Sequence, residues 1–147
     1  MLTEKDYCDY ETCVALKELG FSEPTLAYYH GFLLSKPLLY LVIDEDCMPE
    51  DGVNVFDLLS NSNKYKDSKN IDAPTLWEAQ KWLREEKGIH IAPRIYLYHD
   101  INLDEQTSWE CTIYVEWSAI YTIGKSLTYE DALLLGIKEA VKLLKNK

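Results

Sequence analysis

Apolar and polar residues alternate along two stretches in the second half of the chain. In the first, Ile89, Ile91, Ile95 and Leu97 alternate with His90, Arg94, Tyr96 and Tyr98; in the second, Trp109, Cys111, Ile113, Val115 and Trp117 alternate with Glu110, Thr112, Tyr114 and Glu116. Successive side chains of a β-strand point to opposite faces, so this period of two predicts two half-buried strands. Pro93 predicts that the first strand is an edge strand or contains a bulge, because proline has no N–H to donate.

Three amphipathic helices are predicted from their capping residues and their apolar stripes. They run from Asp9 to Leu19, from Thr75 to Lys87, and from Thr128 to about Leu144. Gly20 and Gly88 stand where the first two helices should end, because glycine readily takes the left-handed conformation that closes a helix.

Branched and aromatic residues predict further strands at Leu26–Leu33, at Leu38–Ile43 and, as a short strand, at Ile120–Ile123. The polar excursion over residues 44–73 carries few structural signals. Short connections and alternating polarity favour antiparallel pairing. We therefore predict a single α+β domain over residues 1–147. One antiparallel sheet of about four to five strands would carry three helices mainly on one face, in the order α-β-β-α-β-β-(β)-α.

The composition is that of a globular chain. Of the 147 residues, 47% are hydrophobic, which is enough for one buried core. The longest apolar-rich run, Pro37–Ile43, is far shorter than the ~20 residues of a spanning helix, so no membrane insertion is expected. No N-terminal segment resembles a secretion signal and no Cys-x-x-Cys pair occurs, so we predict a cytoplasmic protein whose thiols are small buried apolar groups. The cysteines are Cys8, Cys13, Cys47 and Cys111.

The chain is acidic. Its 15 Lys and Arg against 25 Asp and Glu give a formal net charge of −10. A surface of this sign repels phosphates, so direct binding of nucleic acid is not expected. Solubility is the simplest interpretation, and a basic partner or mimicry of nucleic acid are the alternatives.

Motifs of catalysis and of cofactor binding fail on spacing. His90 and His99 are nine residues apart on one predicted strand and so belong to opposite faces, and His30 lies elsewhere in the chain. The acidic run Asp44–Gly52 has Pro49 where a calcium loop needs glycine. A nucleophile elbow and a glycine-rich phosphate loop are also missing. We therefore predict no catalytic residue, no metal site, no cofactor and no enzymatic activity.

Tyrosine and arginine share one face of the two alternating strands. If the branched residues face the helices, the opposite face holds Arg94, Tyr96, Tyr98 and Tyr114, together with Glu110, Thr112 and Glu116. Tyrosine and arginine are enriched where proteins bind one another, and the carboxylates on this face disfavour a strand of phosphates. The β propensity of tyrosine would also explain an ordinary exposed sheet. The functional hypothesis is a partner-binding surface composed of Arg94, Tyr96, Tyr98 and Tyr114.

Four segments of the chain resemble a family of small uncharacterised proteins of gut anaerobic bacteria, their phages and their mobile elements. They are "ETCVALKELGFSEP" with "LAYYHG" after it, "APTLWEAQKWLREEKGIHI", and the closing "TYEDALLLGIKEAVKLL". The stretch from Phe32 to Asp72 is longer than this resemblance leads us to expect. The resemblance implies a bacterial or phage cytoplasmic origin, and it implies no activity, cofactor or site residue.

The leading functional hypothesis is a small non-enzymatic accessory protein of a phage or mobile element that acts through protein–protein interaction. Its partner would be another protein or a second copy of the chain, as in a homodimer. One alternative is an acidic mimic of nucleic acid that inhibits a DNA- or RNA-binding protein. The other is a small hydrolase or metal-dependent enzyme, which would need a histidine to meet carboxylates in a cleft.

Overall fold

A computed structural model describes residues 3–30, 38–41, 70–99, 105–116 and 118–146 of the chain. The fold is α+β, and the chain divides into two compact units, Met1–Thr75 and Leu76–Lys147. The described residues form three α-helices, one 3-10 turn and six strands. No helix among them is long and apolar enough to cross a bilayer.

The first unit combines one helix with a three-stranded antiparallel sheet. A 3-10 turn, Glu4–Asp6, precedes helix α1, Tyr10–Glu18. Strand β1, Ala27–His30, is central and pairs on one side with β2, Leu38–Leu41, and on the other with β3, Asn70–Asp72. The buried side chains of this unit include Cys8, Cys13, Leu16, Phe21, Ala27 and Tyr29.

Both ends of α1 form as the capping residues predict. The Asp9 carboxylate accepts a hydrogen bond from the backbone N–H of Thr12 at 2.9 Å. At the other end Gly20 has a φ of 100°, and the N–H of Phe21 donates to the carbonyl of Leu16 at 2.9 Å. This six-residue closure with a glycine in the left-handed region is a Schellman motif.

The second unit places two helices against a three-stranded antiparallel sheet. Helix α2, Leu76–Lys87, is followed by β4, Ile89–His99, β5, Glu105–Val115, β6, Ser118–Ser126, and α3, Tyr129–Lys145. The strand order is β4-β5-β6. Helix α3 contacts all three strands, and α2 contacts β4 and α3.

The buried stripe of each helix explains its placement. The stripe of α2 consists of Leu76, Ala79, Trp82 and Leu83, and that of α3 of Ala132, Leu133, Gly136, Ile137, Ala140 and Val141. The hydroxyl of Thr128 caps α3 by accepting from the N–H of Asp131 at 3.1 Å. Both stripes recur at helical spacing, so each helix buries one face against the sheet.

Gly136 allows α3 to approach the sheet closely. A Cβ atom at this position would collide with Sγ of Cys111 and would lie 2.6 Å from Cγ2 of Ile91. Any side chain larger than hydrogen would therefore force the helix and the sheet apart.

Strand β4 is the edge strand that Pro93 predicts. Within the described residues it pairs only with β5, and Pro93 lies opposite Cys111. Residues of an antiparallel strand alternately direct their backbone groups toward and away from the partner, so Ile91 and Pro93 share one direction. The carbonyl of Ile91 accepts a hydrogen bond from the side-chain amide of Gln80 at 2.7 Å, and Pro93 has no N–H to satisfy. Helix α2 thus covers part of the β4 edge.

The α+β class and the three helices are confirmed, whereas the single sheet of four to five strands is not. The described strands lie in two three-stranded sheets, β4-β5-β6 and β2-β1-β3, of which the second contains the unpredicted strand β3. That strand lies near the end of the polar excursion, at Asn70–Asp72. The predicted antiparallel pairing of the first two strands is observed. Most of the excursion, including Asp44–Gly52, lies outside the described residues, and the single domain over residues 1–147 stays a prediction.

The second alternating strand is shorter than its pattern predicts. Val115 pairs with Ser118, so two residues form the turn between β5 and β6. Glu116 is one of them, with a φ of 50° in the left-handed region. Two-residue hairpin turns require this conformation, which ends the strand before the alternation ends. Glu116 therefore does not belong to the sheet face on which it was predicted. Strand β6 in turn extends beyond the predicted Ile120–Ile123.

Candidate functional site

The predicted partner-binding residues are placed by the register of β4 and β5. Their pairing is continuous, and it sets Arg94 opposite Glu110. Residues opposite one another in an antiparallel pair share a face. We call this side of the hairpin the tyrosine face; its positions are 90, 92, 94, 96 and 98 on β4 and 106, 108, 110, 112 and 114 on β5.

Arg94 forms an ion pair with its cross-strand partner. Its guanidinium donates to the Glu110 carboxylate at 3.3 Å. The Arg94 side chain is 64% exposed, whereas that of Glu110 is 16% exposed. The carboxylate therefore pairs with the guanidinium of an arginine whose side chain remains mostly in solvent. The alternating pattern contains both residues, but without the register it cannot show that they pair.

The structure groups three of the four predicted residues and separates the fourth. Arg94, Tyr96 and Tyr98 occupy successive positions of the tyrosine face on β4. Tyr114 lies opposite His90, six residues along β4 from Tyr96. At ~3.3 Å per residue, these two tyrosine positions are roughly 20 Å apart. The candidate contact thus centres on Arg94, Tyr96 and Tyr98.

These tyrosine positions lie on a part of the hairpin that continues beyond β6. The last described pair between β5 and β6 joins Trp109 to Ser126. Tyr96 pairs with Ser108 and Tyr98 with Gln106, both past that point. Within the described residues this end is a two-stranded ribbon. Such ribbons are marginally stable alone, and they gain from a further contact.

Exposure on the tyrosine face is concentrated on the edge strand. Ala92 and Arg94 are exposed, whereas Ser108 and Thr112 on β5 are buried. The sequence predicts that this face lacks a helical cover, and it predicts no difference in exposure between the two strands. Among the side chains of this face that the structure describes, the two exposed ones, Ala92 and Arg94, both lie on β4.

On the opposite face of β4, one described side chain is more exposed than predicted. Ile95 was expected to face the helices, but it is 53% exposed. It lies opposite Trp109, whose ring meets that of Tyr129 edge-on, with centroids 5.3 Å apart. Tyr129 is the first residue of α3, so Ile95 lies near the N-terminal end of that helix, which covers little of its side chain.

The described cysteines are buried and free, as predicted. Burial raises the pKa of the Cys111 thiol to about 11, although the backbone N–H of Ala92 acts in the opposite direction. A hydrogen bond with the Cys8 side chain, together with burial, raises the pKa of Cys13. A thiol with a raised pKa stays protonated, and the protonated form is a poor nucleophile. Cys47 lies outside the described residues.

His90 and His99 do not converge. Strand β4 is paired without irregularity from Ile89 to His99, so His90 and His99 occupy positions on opposite faces, roughly 30 Å apart. His30 belongs to β1 in the other unit. In the part of the chain that the structure describes, no three histidine, cysteine or acidic side chains are grouped so that they could hold a metal ion.

Comparisons of this chain with known protein families, curated proteins and solved structures give no match. The resemblance to small proteins of gut anaerobes and their phages therefore stays a prediction from the four segments.

Proposed function

We propose that this chain is a small non-enzymatic accessory protein of a phage or mobile element, working in the cytoplasm by binding a protein. The proposed contact is the β4 part of the tyrosine face, with Arg94, Tyr96 and Tyr98 as its centre. The mobile-element origin comes from the sequence resemblance alone.

The observation that carries this proposal is the exposed Arg94 beside the tyrosine positions on an edge strand. An arginine whose guanidinium is already paired with Glu110 loses less side-chain entropy when it binds. Arginine and tyrosine supply most of the binding energy at many interfaces. The ribbon that carries Tyr96 and Tyr98 has no third strand in the described residues, so a partner would also stabilise it.

The non-enzymatic part is supported by the chemistry of the described side chains. The pKa values of Cys13 and Cys111 are raised, which disfavours the thiolate that a cysteine nucleophile needs. His90 and His99 are on opposite faces of one strand, which disfavours a shared acid–base or metal site.

The test is the oligomeric state of three variants. If the face mediates self-association, Tyr96→Ala together with Tyr114→Ala reduces the mass found by size-exclusion chromatography with light scattering at high protein concentration. Because the register separates the two tyrosines, we expect Tyr96→Ala alone to account for most of the change. Trp77→Ala, which removes an exposed aromatic side chain on α2, is the matched control. A wild-type monomer at all concentrations rules out the second copy as the partner and leaves a different protein.

The distribution of charge favours one second candidate, an acidic mimic that inhibits a nucleic-acid-binding protein. Residues 1–75 contain fourteen Asp and Glu against six Lys, and so carry eight of the ten net negative charges. A mimic needs such a concentration of carboxylates. This candidate is tested by an assay in which the protein and labelled duplex DNA or RNA compete for a panel of basic proteins. Residues 76–147 carry little net charge, so we expect residues 1–75 to account for any competition.

A further inference from the structure

Four apolar side chains gather where α3 begins. Ile95 and Trp109 are cross-strand partners, and Trp109 also pairs with Ser126 on β6. Leu127 follows Ser126 directly, and two residues later the ring of Tyr129 packs edge-on against Trp109. We call this group, Ile95, Trp109, Leu127 and Tyr129, the apolar ledge.

The ledge is exposed beyond what the fold requires. Leu127 is 87% exposed and Ile95 53% exposed, while Trp109 and Tyr129 are half-buried beneath them. Single exposed apolar residues are common on protein surfaces, but a cluster built on a half-buried tryptophan is typical of an interaction site. Leu127 precedes the capping residue of α3, where an apolar side chain often packs on the helix, but at this exposure it makes little such contact.

The first turn of α3, beside the ledge, is acidic. Glu130 and Asp131 form the first turn of α3 directly after Tyr129. Within the described residues neither carboxylate forms a salt bridge with a cation. Along the chain, Lys125 on β6 is the cation closest to the ledge, two residues before Leu127. Arg94 on β4 is on the opposite face and is bound to Glu110. Residues 76–147, the unit that holds the ledge, contain eleven Asp and Glu against nine Lys and Arg, so the attraction of a basic segment rests on Glu130 and Asp131.

We infer that the apolar ledge binds a basic protein segment through one aliphatic or aromatic anchor side chain. The anchor packs on Leu127, Ile95 and Trp109, and lysine or arginine residues beside it pair with Glu130 and Asp131. This inference rests on the proposed function, because it names the chemistry of the bound protein. It adds a second surface, on the face of β4 opposite Arg94.

Binding of fluorescent peptides to the full-length protein tests the inference. The probe is a pool of twelve-residue peptides with a central Leu, Phe or Trp flanked by lysines. Two matched pools replace the lysines by glutamates or the anchor by alanine. We expect the anchored basic pool to bind and both matched pools to bind at least tenfold more weakly, with an affinity that falls as salt rises.

Two pairs of variants locate the binding surface. Leu127→Ser should weaken binding about tenfold or more, because it removes most of one apolar contact. Its control, Leu135→Ser, changes another exposed leucine of the same unit and should bind as the wild type does. Glu130→Gln combined with Asp131→Asn should weaken binding and reduce its salt dependence, whereas Glu85→Gln with Glu86→Gln on α2 should do neither.

Three results overturn the inference: no binding by the anchored basic pool, equal binding by the glutamate pool, or undiminished binding by Leu127→Ser. Failure of the proposed function looks different. If Leu127→Ser loses the peptide while Arg94→Ala and Tyr96→Ala leave every protein contact unchanged, the ledge stands and the tyrosine face fails. If Leu127→Ser leaves peptide binding unchanged while Arg94→Ala or Tyr96→Ala weakens a protein contact, the tyrosine face stands and the ledge fails.

Discussion

Arg94 on β4 and Glu110 on β5 are cross-strand partners whose side chains form an ion pair at 3.3 Å. The arginine is mostly in solvent and the carboxylate is mostly covered, so the pair is asymmetric. Because of this asymmetry, the contribution of the pair to stability is a separate question from the availability of Arg94 to a partner.

The ion pair should contribute little to stability. Exposed pairs are worth about 0.2–1 kcal/mol, because water screens the charges and both side chains lose freedom. A double-mutant cycle of Arg94→Ala and Glu110→Gln, measured by urea denaturation, should give a coupling energy in that range. A coupling above about 2 kcal/mol would show that the pair is a structural element, and Arg94 would then be a poor candidate for partner contact.

Gly136→Ala should destabilise the second unit by about 1–3 kcal/mol. The added Cβ meets Sγ of Cys111 and Cγ2 of Ile91, and overpacking of a close contact costs this much. In an open helix the same change stabilises by roughly 1 kcal/mol, so the sign of the effect is diagnostic. Adding Cys111→Ala removes one of the two obstructing atoms and should recover part of the loss. Thermal unfolding measures both.

Glu116→Gly should stabilise the protein by up to about 1 kcal/mol. Glu116 has a φ of 50°, which costs a residue with a Cβ roughly 1–2 kcal/mol and costs glycine nothing comparable. Gly20→Ala is the converse control: its φ is 100° and no atom lies within 4 Å of an added Cβ, so any loss there comes from the backbone alone. Equal stability of Glu116→Gly and the wild type in urea would contradict the assigned turn.

Thr12→Val should stabilise the protein by about 1 kcal/mol. The Thr12 hydroxyl is buried, and among the described residues it has no hydrogen-bond partner, so its desolvation is not offset. The control is Thr25→Val, because the buried hydroxyl of Thr25 donates to the carbonyl of Ala27 at 2.8 Å. That variant should lose about 1 kcal/mol. Opposite signs for the two variants in chemical denaturation are the expected result.

Stability should fall as the pH rises from about 8.5 to about 11. The pKa of Cys111 is raised by burial to about 11 in the folded chain, above the ~8.5 of an unfolded cysteine. The protonated thiol therefore stabilises the fold fully below the lower value, and this contribution is lost through the upper one. Cys111→Ala should reduce the loss by about 3 kcal/mol. A residual decline is expected, because burial also raises the pKa of Tyr29. Identical pH profiles for the variant and the wild type would contradict the assignment.

Local signals predict the helices of this protein well. Asp9, Gly20 and Thr128 act through hydrogen bonds or backbone conformations that involve only their near neighbours, so the sequence suffices to place them. The buried stripe of α2 depends on the same kind of local signal, since helical spacing alone decides which residues share a face.

The sheets were predicted less well, because pairing depends on distant residues. Asn70–Asp72 alternates over only three residues, too few to predict a strand, yet it forms β3 by pairing with the second edge of β1. Ile95 has the alternation of a buried position, yet it is exposed because α3 begins beside it. The candidate site follows the same rule. Alternation alone places Arg94, Tyr96, Tyr98 and Tyr114 on one face, but only the register shows that Tyr114 is distant from Tyr96.

The contact between Gln80 and Ile91 bears on how this protein behaves at high concentration. An uncovered strand edge is a template on which other chains can add strands and grow into fibres. Here the amide of Gln80 occupies one carbonyl of that edge, and Pro93 removes the next donor facing the same way. An incoming strand thus finds two consecutive ladder positions closed at the start of β4. The start of β4 therefore resists the indefinite strand addition that leads to fibrils, and the proposed contact at Arg94, Tyr96 and Tyr98 lies farther along the same strand.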